Sequence, residues 1–226
     1  MSNIIEYLLP NIINKIPELL LSTGQTLYMM LISGIISFCI GIVFGVLLVV
    51  TRKGDILENV VFWTILDKII NFFRSVPFII LLALLIPVTR AIVGTAIGTK
   101  GAMVPLIFGT APFFTRQMQA ALAETDRGTI EAALAMGISP VSIVFRVYFK
   151  ESIPSIIRGV TITFISLVGL TAMAGAIGGG GLGDFAIRYG YQRYQTDVII
   201  VTVIILVLIV TSIQTLGDYI IKKISH

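Results

Sequence analysis

The sequence predicts an all-α membrane protein with five transmembrane helices, its N-terminus outside and its C-terminus cytoplasmic. Three observations carry that prediction. The 226 residues have a mean hydropathy of +1.00, with 56% hydrophobic and only 12% charged, far from a soluble globular balance. The apolar residues collect in long uncharged runs. Lys and Arg are divided unequally among the segments between those runs.

Taken in order, Ile4, Ile5, Leu8, Leu9, Ile12, Ile13 and Ile16 recur at helical spacing across Pro10. They predict an extracytoplasmic amphipathic segment over residues 1–21. A cleavable signal is not expected, because no basic n-region precedes the apolar run and that run is too long. Leu19–Thr51, Gly159–Gly183 and Val198–Gly217 carry no charge, and each can form the ~20-residue helix that crosses a ~30 Å hydrocarbon core. Ser75–Thr89 and Gly101–Thr115 are shorter. Helical turns over 71–74 and 117–123 complete them while keeping their charges at the rim. The expected spans are therefore about 22–50, 70–90, 101–122, 159–179 and 197–217, inside a transmembrane domain over 22–217 and followed by a cytoplasmic tail at 218–226. Cys39, the single cysteine, is expected as a buried, inert thiol.

Orientation follows from basic residues. Arg52, Lys53, Lys68, Arg74, Arg116, Arg127, Arg146, Lys150, Arg158, Lys222 and Lys223 fall on one side, and Lys15, Arg90, Lys100, Arg188 and Arg193 on the other. The richer side is expected to be cytoplasmic. Its charges are spread over several segments, which argues against a nucleic-acid partner. Membrane lipids are the expected surroundings.

The contents of the spans exclude several activities. The first, fourth and fifth have no ionisable residue in their cores, whereas ion-coupled transporters place such groups near the midplane. Ser33, Ser37 and Ser166 have no His or intramembrane acid to act as their base, so an intramembrane enzyme is disfavoured. The only histidine is His226. No cofactor, metal site or catalytic residue is expected, and no P-loop sequence is present. Uphill transport would then need energy from another polypeptide; a stand-alone secondary transporter or channel is the rival reading.

The third cytoplasmic loop, about 123–158, has a place for such a partner. Asp126 or Thr129 can cap a short helix with Glu131 in its first turn. Ala132, Ala133 and Ala135 keep it thin, and Gly137 suits the left-handed position that ends it. Ser139 and Pro140 then read as N-cap and first residue of a second helix running to about Glu151. On it Val141, Val144, Phe145 and Tyr148 form one apolar stripe. From the residues alone, an ordinary helical hairpin packed beneath the membrane is as good a reading as a docking element.

Glu131-Ala132-Ala133, three residues and then Gly137 resemble the coupling-loop motif of ATP-binding-cassette (ABC) importer permeases. The family's I-x-L-P tail is represented by Val147-Tyr148-Phe149-Lys150, so Lys150 replaces a proline. A narrower resemblance is to the permeases of methionine importers. It rests on Phe73-Arg74-Ser75-Val76-Pro77-Phe78-Ile79-Ile80-Leu81-Leu82, Ile86-Pro87-Val88-Thr89-Arg90 with Val93–Gly98, Ala111-Pro112-Phe113, Leu167-Val168-Gly169, Ala172–Ala176 with Gly180–Gly183, and Tyr189-Gly190-Tyr191.

The resemblance implies a type I ABC importer permease fold with a cytoplasmic coupling helix, in a bacterial inner membrane. It implies a non-enzymatic subunit that works as a homodimer with two ATPase subunits and an extracytoplasmic substrate-binding lipoprotein. Its substrate would be methionine, L- and possibly D-, or else another amino acid or small organic solute. Glu131, Ala132, Ala133, Gly137, Ser139 and Pro140 would couple to the ATPase, with Glu131 bonding within the loop. Met173 would stand at the pore constriction, beside Gly175 and Gly178; from the residues alone it is equally a helix- or lipid-facing Met. The glycines from 175 to 183 read either as a flexible exit loop or as a site of close helix approach. Pro77, Pro87, Pro105 and Pro112 are expected to kink or end their helices, placing spans two to four along the pathway. Arg90 and Lys100 are expected to bracket an outer turn.

Overall fold

The computed structural model describes residues 10–224, and every regular element it describes is helical. Residues 1–9 of the expected amphipathic segment, and His226, lie outside that range. Helix α1 (Ile16–Val50) follows a tight turn at Ile13–Lys15. Ile12 is buried with Leu19, Leu182, Phe185 and Val198, and Asn11 donates two hydrogen bonds to the Asp197 carboxylate at 2.9 and 3.0 Å.

Helix α2 (Val60–Ser75) is capped by Asn59, whose side chain accepts from the Phe62 amide. It buries Leu66 and Ile70 against Leu48, leaving Val61, Ile65, Ile69 and Phe72 exposed. The span expected over 70–90 is not one helix. Val76, forced toward extended backbone by the following Pro77, takes φ −81°, ψ 121°. Helix α3 (Phe78–Leu84) then stops at Leu85, and α4 (Ile86–Val93) starts with Pro87 in its first turn. Pro87 has no N–H to continue the ladder, so the chain breaks there. Gly94, at φ +78°, ends α4 in the left-handed conformation that glycine adopts without steric cost.

Helix α5 (Gly98–Ala123) leaves α4 at a bend of 119°. Pro105 and Pro112 lie inside it without ending it, unlike Pro77 and Pro87. After α6 (Arg127–Ala135), helix α7 runs from Pro140 to Gly179, 40 residues. The expected second loop helix and fourth span are thus one element. It contains two π-helical turns, Val144–Tyr148 and Gly175–Gly179. Short α8 (Gly181–Phe185) and a π-helical turn at Ala186–Tyr191 lead to α9 (Thr196–Ile224). Among the described residues, three helices are long and apolar enough to cross a membrane, or four if the bent α4–α5 pair counts as one.

Two compact units emerge. One combines residues up to Gly34 with Pro77–Ile107 and Phe164–Ile213; the other holds Ile35–Val76, Phe108–Thr163 and residues from Gln214 onward. In the first, Met29, Met30, Leu106, Leu167 and Ala174 form the main core. In the second, Val49, Val50, Phe114, Met118, Ile143 and Tyr148 are buried together. Small residues set helix spacing there: a Cβ on Gly41 would sit 2.5 Å from the Phe114 ring, and one on Gly45 2.6 Å from Met118. Cys39 is exposed rather than buried. It lies on the outward face of α1 with Ile35, Ile36 and Val43, because the glycines take the side toward α5.

The glycine-rich segment is a packed corner, not a loose loop. Ile177 (φ −111°) and Gly178 (φ +91°) leave helical geometry, and Gly180 and Gly181 are also left-handed. A Cβ on Gly183 would lie 2.2 Å from the Ala172 carbonyl oxygen, and one on Gly175 2.5 Å from the Asp184 nitrogen. Gln25 Oε1 and Thr26 Oγ1 accept hydrogen bonds from the Gly181 and Leu182 amides, both at 2.8 Å. The first amides of α8 are therefore occupied by the chain itself.

Replacing Gly183 by Ala should force this corner open at a cost of about 1–3 kcal/mol. Gly169→Ala meets nothing within 4 Å and should leave stability unchanged or slightly raised. Thermal unfolding of the two variants in the same detergent checks the contrast; equal midpoints would contradict it.

Candidate functional site

Helix α6 begins where Asp126 accepts a hydrogen bond from the Thr129 amide at 2.9 Å. That cap places Glu131 in the second turn, not the first as the sequence suggested. The Glu131 side chain makes no hydrogen bond or ion pair among the described residues, so the bond expected to hold its turn is not formed. The helix ends as expected at Gly137, φ +74°. The Gly137 amide bonds the Leu134 carbonyl at 2.9 Å and the Ile138 amide the Ala133 carbonyl at 3.1 Å. This paired closure satisfies the last carbonyls of the helix. Ser139 caps the next helix by accepting from Ser142, with Pro140 in its first turn.

Burial separates the motif residues. Ala133 (2% exposed) and Ile130 face the core formed by Val49, Met118 and Tyr148, whereas Glu131, Ala132, Ala135 and Gly137 are exposed. The stripe expected on the following helix is split the same way. Val144 and Tyr148 are buried, while Val141 (64%) and Phe145 (67%) are exposed. The π-helical turn adds a residue to the repeat, so the i, i+3, i+4, i+7 positions no longer share a face. Phe145 stacks instead on Phe149, ring centroids 5.7 Å apart. With Leu134 and Met136 (72% exposed), these side chains make the outer surface of the loop apolar. Lys150 is exposed and helical; Pro154 follows inside the same helix and leaves the Lys150 carbonyl without its i+4 donor.

A polar knot holds this loop to the preceding one, and sequence reasoning missed it. Tyr148 Oη donates to Asp55 Oδ1 at 2.7 Å, and Arg52 Nε donates to Asp55 Oδ2 at 2.9 Å. The Asp55 side chain is only 3% exposed. Gly54, Asp55 and Ile56 meet Arg127, Glu131 and Leu134 along a shallow crevice. Arg116 pairs with Asp67 and also reaches Asn71 and Gln119 at 2.9 and 2.6 Å. Thr125 and Ser152 hydroxyls meet at 3.1 Å at the base of the loop. The Tyr148–Asp55 pair is 93 residues apart in sequence, with no spacing pattern to reveal it.

Met173, near the end of the α-helical part of α7, is 42% exposed. Gly175 is buried and Gly178 exposed. Among the described residues no group of three His, Cys, Asp or Glu side chains could hold a metal ion.

The sequence profile of the binding-protein-dependent transport system inner membrane component family matches residues 37–226. The chain belongs to that family. Among relatives of this permease, the probable D-methionine transport system permease protein MetI of Vibrio cholerae is 47% identical over 208 residues, 92% of each chain. The methionine import system permease protein MetP of Bacillus subtilis is 43% identical over 211 residues, 93% of this chain and 94% of that one. An inward-facing structure of the MetNI methionine ABC transporter contains a chain that superposes with a TM-score of 0.92 at 44% identity, covering 94% and 99% of the two chains. A chain from an amino acid ABC transporter with histidines shares the fold alone, at 17% identity and a TM-score of 0.75. The permease therefore has the type I ABC importer fold, and its family comprises transport subunits, not enzymes.

Tyr148→Phe removes the hydroxyl bond to Asp55 and should cost about 1–2 kcal/mol. Its signature should be faster tryptic cleavage at Arg52 and Lys53 in the detergent-solubilised protein. Cleavage at the wild-type rate would show that the knot does not hold the loop.

Proposed function

We propose that the chain is the membrane-spanning permease subunit of an ABC importer for methionine, working as a homodimer with two ATPase subunits and a substrate-binding lipoprotein in a bacterial inner membrane. The observation carrying this reading is the capped helix Arg127–Ala135, with its thin exposed face, inside a chain so similar to methionine permeases. Glu131, Ala132 and Gly137 are exposed on it, and small residues allow a second polypeptide to approach closely. Ala133, Ser139 and Pro140 serve from within, by packing and by starting the next helix.

The membrane arrangement in this reading has five crossings: α1, the broken α2–α4 stretch, α5, α7 and α9, with the N-terminus outside. The distribution of Lys and Arg supports that orientation. Five helices hardly enclose a solute path, whereas a pair of chains can. ATP binding would draw the two coupling loops together and shift the spans between inward- and outward-open states. Met173, exposed and flexible, is suited to a gate that closes without unique packing, and Gly175 and Gly178 fix the corner beside it. A permease for a different amino acid is the second reading, because the apolar spans carry no group specific to a thioether.

Uptake of labelled methionine by proteoliposomes containing the permease, its ATPase and its binding protein tests the substrate. Saturating, ATP-dependent uptake is expected; transport of another solute but not methionine would refute the assignment. Glu131→Ala and Gly137→Leu should each reduce ATPase copurification and uptake. The second also strains a left-handed residue by about 1–2 kcal/mol. Full copurification and uptake in both variants would remove the loop from the coupling path.

A further inference from the structure

The geometry points to a reception site for the substrate carboxylate in the cleft beside the glycine corner, built on Thr89 and Arg90. This rests on the transport reading above and extends it to a ligand-binding position. The cleft has a volume of about 320 Å³, at the lower end of the range for small-molecule sites. Leu82 and Ile86, Ile97 and Pro105, and Ile177 supply apolar walls. Among the described residues, Thr89 and Arg90 are the only polar side chains lining it, and no carboxylate does.

Thr89 is the informative residue. It is 2% exposed, and its hydroxyl has no hydrogen-bond partner. Several helical threonines satisfy theirs by donating to the carbonyl four residues back, as Thr115, Thr163 and Thr202 do. Thr110 is also without a partner but does not line this cleft. A buried hydroxyl without a partner is costly unless something completes it, and a turn about its Cα–Cβ bond is what would bring this one, closed off in the wall of the cleft, to a ligand. Arg90, exposed and free of ion pairs among the described residues, sits next to it in the last turn of α4. A guanidinium fork binds a carboxylate bidentately. The hydroxyl can donate to the same carboxylate or accept from an adjacent ammonium group, having both capacities. The apolar walls then suit an uncharged aliphatic or thioether side chain. The ligand class is therefore a small α-amino acid with an apolar side chain.

The test uses the complete transporter in proteoliposomes, with methionine and methionine amide as probes. Thr89→Val and Arg90→Gln should each lower the initial rate of methionine uptake about tenfold, the size expected for losing one charge-assisted or buried hydrogen bond. Basal ATP hydrolysis, ATPase copurification and association with the binding protein should stay at wild-type levels. Thr89→Ser should restore uptake, and Arg193→Gln should leave it unchanged. The wild-type complex should discriminate against the amide, and Arg90→Gln should lose that discrimination. Wild-type uptake in both Thr89→Val and Arg90→Gln overturns the site. So does a defect confined to Arg90→Gln with lost binding-protein association, which would make Arg90 a docking contact. Loss of copurifying phospholipid at unchanged uptake would assign the cleft to lipid and also overturn it. If the wild-type complex imports another carboxylate instead of methionine, the substrate assignment fails while the same variants test this site with that solute. If it imports no anionic or zwitterionic solute, both fail.

Discussion

In hydrocarbon every backbone N–H and C=O needs a partner within the protein, and each interruption of a helix must be supplied with one. That constraint organises this chain. Most of its length is uninterrupted helix, and the interruptions are few and chemically provided for. At the corner after α7, Gln25 and Thr26 take up the amides of Gly181 and Leu182, and left-handed glycines turn the chain without a Cβ penalty. At the breaks around α3 and α4 Pro77 and Pro87 bring no N–H of their own, and the Leu85 and Thr89 amides carry the ladder across by bonding the Leu81 and Leu85 carbonyls at 3.0 and 2.7 Å. Where the ladder is interrupted, side-chain chemistry enters the apolar region, and the glycine corner and the Thr89–Arg90 cleft both lie at such places.

The loop around α6 obeys the same constraint by different means, since its capped helices close their own termini. Asp126, Ser139 and the paired closure around Gly137 make a short helix self-sufficient, although nine residues would hardly be helical in isolation. Packing supplies the remainder: Ile130 and Ala133 enter the core next to Tyr148, and the Tyr148–Asp55–Arg52 knot fixes that core to the preceding loop. A rigidly held helix with a thin outer face can transmit a displacement. A frayed one would absorb it.

Much of this was legible in the sequence because it depends on local rules. Uncharged runs marked α1, α5, the membrane part of α7 and α9; Gly137, Ser139 and Pro140 marked the ends of the loop helices. Non-local effects were not legible. The breaks of span two at Pro77 and Pro87, by contrast, are those its prolines lead one to expect, each acting on its own stretch of backbone. The loop stripe failed at a π-helical turn, which has no signature at the level of apolar spacing. Cys39 was misplaced because the small face of α1, Gly41 and Gly45, and not its hydropathy, decides which side packs on α5. The Asp55 and Asp67 pairings join positions with no common motif and could only be found in three dimensions.

Gly175, Gly179 and Gly183 leave no room for a Cβ, each facing backbone at under 3 Å, so the corner itself cannot flex by much without losing its packing. Gly94 and Gly98, by contrast, are left-handed with nothing within 4 Å. Between them, Thr95 is half-exposed and Ile97 exposed, Thr95 Oγ1 accepts from the Ile97 amide at 3.1 Å, and the Ala96 backbone lies against Gly101. Stiffness and freedom are thus assigned to different glycines along the same cleft. The corner keeps the neighbouring end of α7 in place, and the 94–98 connection closes another wall of the same cleft through Ala96 and Ile97.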